Sequence, residues 1–210
     1  FTADNQYCIV ADLGANCLWS LKKSEKSQKF EIIGKWKAPE GSGPRHIAFD
    51  KRSKYIYVIT EITADVAVVE IQENGNLKEL QIISALNENS VRNHGNITEL
   101  GIPEYYIAGG DIILMGDGKY VVVSIRGSHE IVAFEVLGNG LLTYKSSVSS
   151  TGAIRSLCIN EEETILFALG EEMGNAKGIM EVFALDTQSD NLLQPKQTLE
   201  MRGAFISCIS

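Results

Sequence analysis

Lys54-Tyr-Ile-Tyr-Val-Ile-Thr-Glu61 and Lys119-Tyr-Val-Val-Val-Ser-Ile-Arg126 are one segment written twice: a Lys-Tyr pair, a β-rich run, and a charged residue seven places after the lysine. Each charge is followed by a short polar turn and a second β-rich run, Val66-Ala-Val-Val-Glu-Ile71 or Ile131-Val-Ala-Phe-Glu-Val136. Recurrence of the whole pattern marks an internal repeat.

The unit occurs twice more. Gln6-Tyr7 opens Cys8-Ile-Val-Ala11 and then Cys17-Leu-Trp-Ser-Leu21; Thr164-Ile165 opens Leu166-Phe-Ala-Leu169 and then Ile179-Met-Glu-Val-Phe-Ala184. A short apolar run precedes the opening pair, as in His46-Ile-Ala-Phe49, Ile112-Ile-Leu-Met115 and Ser156-Leu-Cys-Ile159, and a more polar run follows each unit. Four short strands in a repeat of 45 to 65 residues make a β-propeller blade. The expected fold is therefore all-β, with four-stranded antiparallel blades over residues 1 to 38, 39 to 86, 103 to 149 and 150 to 200 and a closing strand at 205 to 210. Phe1 takes the place of Phe49 in the next blade, so the first blade is expected to lack the first half of its innermost strand. No window shows sustained helical spacing of apolar residues with caps at both ends. Residues 87 to 103 form a polar stretch without strand pattern, long for a connection in a compact domain.

The 210 residues are 44% hydrophobic and 22% charged, an ordinary balance for a globular chain. Apolar runs are strand-sized, short of the roughly 18 residues of a membrane helix, so no membrane partner is expected. A net charge of -8 with scattered lysines and arginines argues against nucleic acid, whose phosphates call for clustered cations. Cys8, Cys17, Cys158 and Cys208 lie in apolar strand-like runs without the close Cys/His pairs of zinc sites. They read as buried free thiols, which suits a reducing, cytoplasmic compartment. Asn96-Ile-Thr98 reads as an ordinary loop asparagine.

In a blade the second strand runs back along the first, so the entry to strand one and the exit of strand two share a face. Entry positions are Arg45-His46, Gly110-Asp111 and Arg155-Ser156; exit positions are Leu13 beside Asp12, then Glu61, Arg126 and Glu171. Three arginines, several carboxylates and a histidine on one concave face suit a small anionic metabolite, because guanidinium binds carboxylate or phosphate in bidentate fashion. Plain structural roles are open to each: Arg45 pairing with Glu61, His46 packing between blades, Asp12 or Asp111 in a turn, Glu171 in a solvated loop.

Gly43-Pro-Arg-His-Ile-Ala-Phe49, Lys54 to Glu61, and Asp117-Gly-Lys-Tyr-Val-Val-Val-Ser-Ile-Arg-Gly127 resemble the lactonase family of seven-bladed β-propellers, which includes bacterial 6-phosphogluconolactonases and fungal carboxymuconate cyclases. Val10-Ala-Asp-Leu-Gly14 and residues 205 to 210 also match, so the resemblance spans nearly the whole chain. It implies a substrate anion clamped at the channel mouth by Arg45, Glu61 and Arg126, no metal or organic cofactor, and about four of seven blades present. For hydrolysis Glu61 would activate water; His46, Asp111, Arg155 and Asp12 would contact substrate. The family also uses a histidine four residues before the place of Phe1. Ile113 and Ile125 stand where bacterial members have His and Asn, which shifts weight to the cyclase branch and, with the missing histidine, to a non-catalytic binding scaffold, the alternative from another class; Arg45, Glu61 and Arg126 together favour the enzyme.

An open arc of four blades exposes apolar blade faces and unpaired edges. Residues 1 to 210 expressed alone are therefore expected to be poorly soluble or partly unfolded and without turnover; a cooperatively unfolding, active monomer would contradict this.

Overall fold

The computed structural model describes residues 1 to 86, 107 to 172 and 177 to 201. The connection at 87 to 103, Asn96, the closing strand at 205 to 210 and Cys208 lie outside them. The described residues contain fifteen strands in four antiparallel sheets and no helix, as the repeat requires.

The first sheet holds β1 (Tyr7–Asp12), β2 (Cys17–Lys23) and β3 (Phe30–Lys37); the second β4 (Pro44–Phe49), β5 (Tyr55–Thr60), β6 (Asp65–Ile71) and β7 (Leu77–Ser84). The third holds β8 (Ala108–Met115), β9 (Tyr120–Arg126), β10 (Glu130–Val136) and β11 (Leu142–Ser149); the fourth β12 (Ala153–Ile159), β13 (Ile165–Glu171), β14 (Gly178–Leu185) and β15 (Leu193–Met201). Strands within each sheet are hydrogen-bonded in sequence order, the pattern of a blade. The first sheet has three strands, and Thr2 N–H donates to the Tyr7 carbonyl at 2.9 Å just as Asp50 N–H donates to Tyr55 at 3.0 Å. That places Phe1 in the register of Phe49.

The second strand of a blade is apolar on both faces because blades stack on both sides of it. Ile56, Val58 and Ala67 pack toward the first blade with Tyr7, Ile9 and Leu18, whereas Tyr57, Ile59 and Val68 pack toward the third with Val121, Val123 and Phe134. A third cluster joins Val122 and Ile131 to Leu157, Leu166 and Phe183 of the fourth blade. The opening tyrosine of the repeat has a place in this packing. The Tyr55 ring lies where a side chain on Gly140 would be, 2.4 Å from the point a Cβ would occupy, and Gly140 has φ +81°, so glycine alone fits that turn. Tyr57 Oη donates to the Gly140 carbonyl at 3.2 Å across the same seam.

Two kinds of bulge repeat with the blades. One falls between the third and fourth strands, at Ser20/Leu21, Val68/Val69, Ala133/Phe134 and Val182/Phe183. The other falls on the innermost strand, at Pro44/His46, Gly109/Ile112 and Ile154/Ser156. An extra residue there bends the strand and re-aims its side chain, and the residues so displaced are Arg45, the Gly110-Asp111 pair and Arg155.

Cys17 is buried and free, and burial pushes its thiol pKa up; Cys8 is half-buried and free. Cys158 is disulfide-bonded, which corrects the expectation of four free thiols. An apolar strand context reports burial and says nothing about which sulfur the fold brings alongside. The case for a reducing compartment loses its support with it.

Blades two and three meet through backbone at the site. Gly109 N–H donates to the Glu61 carbonyl at 2.9 Å, and a Cβ on Gly109 would sit 2.3 Å from the Thr60 carbonyl oxygen. In the full-length protein, Gly109→Ala is expected to cost about 1–3 kcal/mol by overpacking, whereas Gly138→Ala, with nothing within 4 Å of its Cβ, leaves stability nearly unchanged. Urea unfolding of the two variants checks this; equal midpoints would show that the seam tolerates separation.

Candidate active site

Glu61 follows directly after β5. Its N–H donates to the Gly43 carbonyl at 2.7 Å and its carbonyl accepts from Gly109, so the residue is tied to the entry of β4 on one side and of β8 on the other. From this seam its carboxylate meets an arginine of each blade: Oε1 lies 3.0 Å from Arg126 Nη2 and Oε2 lies 3.4 Å from Arg45 Nε. Arg126 Nη2 also donates to the Gly109 carbonyl at 3.0 Å. The Nε atoms of Arg45 and Arg126 are both buried without a hydrogen-bond acceptor. Two guanidinium groups thus share one carboxylate, and the Arg126 side chain is only 11% exposed. Burial, and then the nearby charge of Arg126, lower the Arg45 pKa. A concentration of positive charge with spare donors is what an anionic ligand would relieve.

Next to Arg45 on the bulged strand stands His46. Its Nδ1 lies 2.7 Å from Asp111 Oδ1, and its Nε2 lies 3.3 Å from Arg45 Nη1. Asp111 is buried on the third blade's innermost strand. Its Oδ1 also accepts from Ile112 N–H at 2.9 Å, its Oδ2 accepts from Leu157 N–H of the fourth blade at 2.8 Å, and its own N–H donates to Ser124 Oγ at 2.9 Å. Ser124 Oγ in turn donates to the Ile154 carbonyl at 3.2 Å. Burial alone would raise the Asp111 pKa, but the hydrogen bonds from His46 and from the Leu157 and Ile112 N–H groups outweigh it and hold the carboxyl below its usual value.

Arg155 repeats the Arg45 arrangement two blades along. Its Nε donates to Glu171 Oε1 at 2.9 Å and its Nη2 contacts the same oxygen. Glu171 is the last residue of β13, and its carboxylate is engaged by Arg155, which corrects the solvated-loop reading. Asp111, open to a turn reading from its glycines, is a bulged strand residue.

Asp12 is the sequence-selected residue that the structure does not bring to this cluster. Its Oδ1 accepts from Ala15 N–H at 2.9 Å and its Oδ2 from Trp19 Nε1–H at 3.0 Å, and these bonds lower its pKa. Register explains why: Asp12 pairs with Cys17 as the last residue of β1, so it matches Thr60, and Leu13 takes the place of Glu61. The first blade therefore contributes an apolar residue there, with Leu13 and Ile62 both packed over Gly43. Sequence reading missed Ser124, although its place two residues before Arg126 on a strand of alternating faces carried the signal. Ile125 is fully buried between blades two and three and Ile113 packs against the third–fourth blade core. Neither side chain belongs to the site.

The family model for "Lactonase, 7-bladed beta-propeller" matches residues 1–208. A 6-phosphogluconolactonase of Bacillus subtilis (strain 168) is 32% identical over 178 residues, covering 83% of this chain and 47% of that protein. Among solved structures, a Lactobacillus plantarum protein superposes with a TM-score of 0.80 at 20% identity, over 97% of this chain and 55% of the other. The Pseudomonas aeruginosa periplasmic gluconolactonase superposes with a TM-score of 0.79 at 21% identity, over 97% and 53%. The chain spans about half the length of these relatives. With its repeated blades and its arginine-lined inner face, the chain belongs to the lactonase family of seven-bladed β-propellers.

Proposed function

We propose that the whole protein is a lactone hydrolase acting on a small anionic lactone of the 6-phosphogluconolactone class. The observation that carries this reading is the Glu61 carboxylate held between Arg45 and Arg126 from adjacent blades. Similarity to proteins named 6-phosphogluconolactonase supports the same chemistry.

Attack on a lactone carbonyl places negative charge on its oxygen, and fixed donors aimed at that charge lower the barrier most when they need no rearrangement. Arg45 and Arg126 fit this role because the fold fixes both: one on a bulge, the other by the Gly109 carbonyl. One guanidinium face would take the substrate's phosphate or carboxylate and the other the developing oxyanion. Glu61 keeps the two cations together, and Arg155 with Glu171 would border the substrate on the far side. Cyclisation of an open-chain acid needs the same anion clamp, but nothing in the arrangement favours it over hydrolysis.

Arg126→Ala in the full-length protein is expected to lower kcat/KM for 6-phosphogluconolactone by two or more orders of magnitude, the loss of a transition-state contact of about 3 kcal/mol. Steady-state kinetics on a variant with an unchanged unfolding midpoint checks this. Unchanged kinetics would favour a binding scaffold instead.

A further inference from the structure

We infer that His46 is the general base of this site, with Asp111 as its positioning residue; this rests on the hydrolytic reading above. Glu61 is poorly placed for the task, since each of its oxygens faces a guanidinium group. His46 is placed well. Its side chain is 44% exposed on the site face while its Nδ1 is anchored at 2.7 Å to a buried carboxylate.

The hydrogen-bond network fixes the tautomer. A guanidinium group can only donate, so the contact between Arg45 Nη1 and His46 Nε2 requires a lone pair on Nε2. The ring proton then sits on Nδ1 and is donated to Asp111 Oδ1. Asp111 cannot swing away, because N–H groups of the third and fourth blades hold its two oxygens. A neutral imidazole thus presents a basic nitrogen beside the arginine expected to bind the substrate anion. When the anion draws Arg45 Nη1 to itself, Nε2 becomes free to accept a proton.

The step balances without any further reagent. Water's oxygen bonds to the lactone carbonyl carbon as one of its protons passes to His46 Nε2. The ring carbon–oxygen bond then breaks, and the imidazolium returns the proton to the departing alkoxide, leaving the hydroxy acid. Asp111 stabilises the imidazolium in between. The charged groups facing His46 from the packed elements are Arg45 on β4, Glu61 after β5, Asp111 on β8, Arg126 on β9, and Arg155 with Glu171 on the fourth blade. Of these, only Asp111 touches the ring as an acceptor.

The test has two arms, both in the full-length protein. Ring nitrogen-15 NMR, with His46 assigned through His46→Gln, reads the tautomer without turnover; Nδ1–H is expected, and Asp111→Ala, which removes the Nδ1–H acceptor, should weaken that preference without reversing it, because the Arg45 guanidinium still faces Nε2. In pH–rate profiles with 6-phosphogluconolactone, His46→Gln should lower kcat about a hundredfold or more and remove the acid limb. Asp111→Asn should lower kcat with KM little changed and the unfolding midpoint kept, the split expected of a group that acts through the base and does not touch the substrate; a merely structural loss would lower the unfolding midpoint as well. Hydrolysis with the acid limb intact in His46→Gln, or an Nε2–H tautomer in the wild type, would overturn the inference while the hydrolytic reading stands. No lactone turnover combined with the Nδ1–H tautomer would instead overturn the hydrolytic reading, and with it the base role, leaving only the His–Asp pair.

Discussion

Hydrogen bonds that tie the innermost strand of one blade to the inner edge of its neighbour set everything else on this face. Strand pairing ends within each blade, so blades are joined chiefly by apolar packing, which is tolerant of small slides. At the inner edge that tolerance ends. Gly109 N–H reaches the Glu61 carbonyl, the Asp111 carboxylate reaches Leu157 N–H, and Ser124 Oγ reaches the Ile154 carbonyl. Each bond crosses a seam and is directional, so together they fix blades two, three and four in one register.

That register decides the chemistry. Glu61 can share itself between Arg45 and Arg126 because its own backbone is the link between their blades. Pairs of this kind contribute little to stability: removing charges from water costs several kcal/mol per ion, and their attraction only roughly returns it. Apolar residues would hold the seam as well. A cluster of half-buried arginines with unaccepted Nε donors is costly as structure and useful as a site, which is why function is the better account of it.

The repeat was legible because two-sided burial leaves a direct mark: continuous apolar runs such as Tyr55–Thr60 and Tyr120–Arg126, each ended by one charge. The face shared by Arg45, Glu61 and Arg126 followed from antiparallel pairing alone. Other features depend on a single extra residue or a single neighbour, and these leave no such mark. The bulges at Arg45, Asp111 and Arg155 change where side chains aim without changing composition. Asp12 joins the candidate site in the sequence because it neighbours Leu13, and one residue of register leaves it at the end of β1, where its carboxylate holds the following turn. Ile125 looked like a lost site residue and is a core residue, since alternation sends it into the seam. The disulfide at Cys158 depends on a partner that strand patterning cannot name.

Everything proposed for this face requires that the two arginines around Glu61 hold the substrate's anion. A crystal structure of the full-length protein with 6-phosphogluconate, the open-chain product, tests that most directly. The expected result is a phosphate or carboxylate within hydrogen-bond distance of both Arg45 and Arg126, with Glu61 still between the blades. An anion bound elsewhere, with both arginines still engaged only by Glu61 and the Gly109 carbonyl, would contradict it.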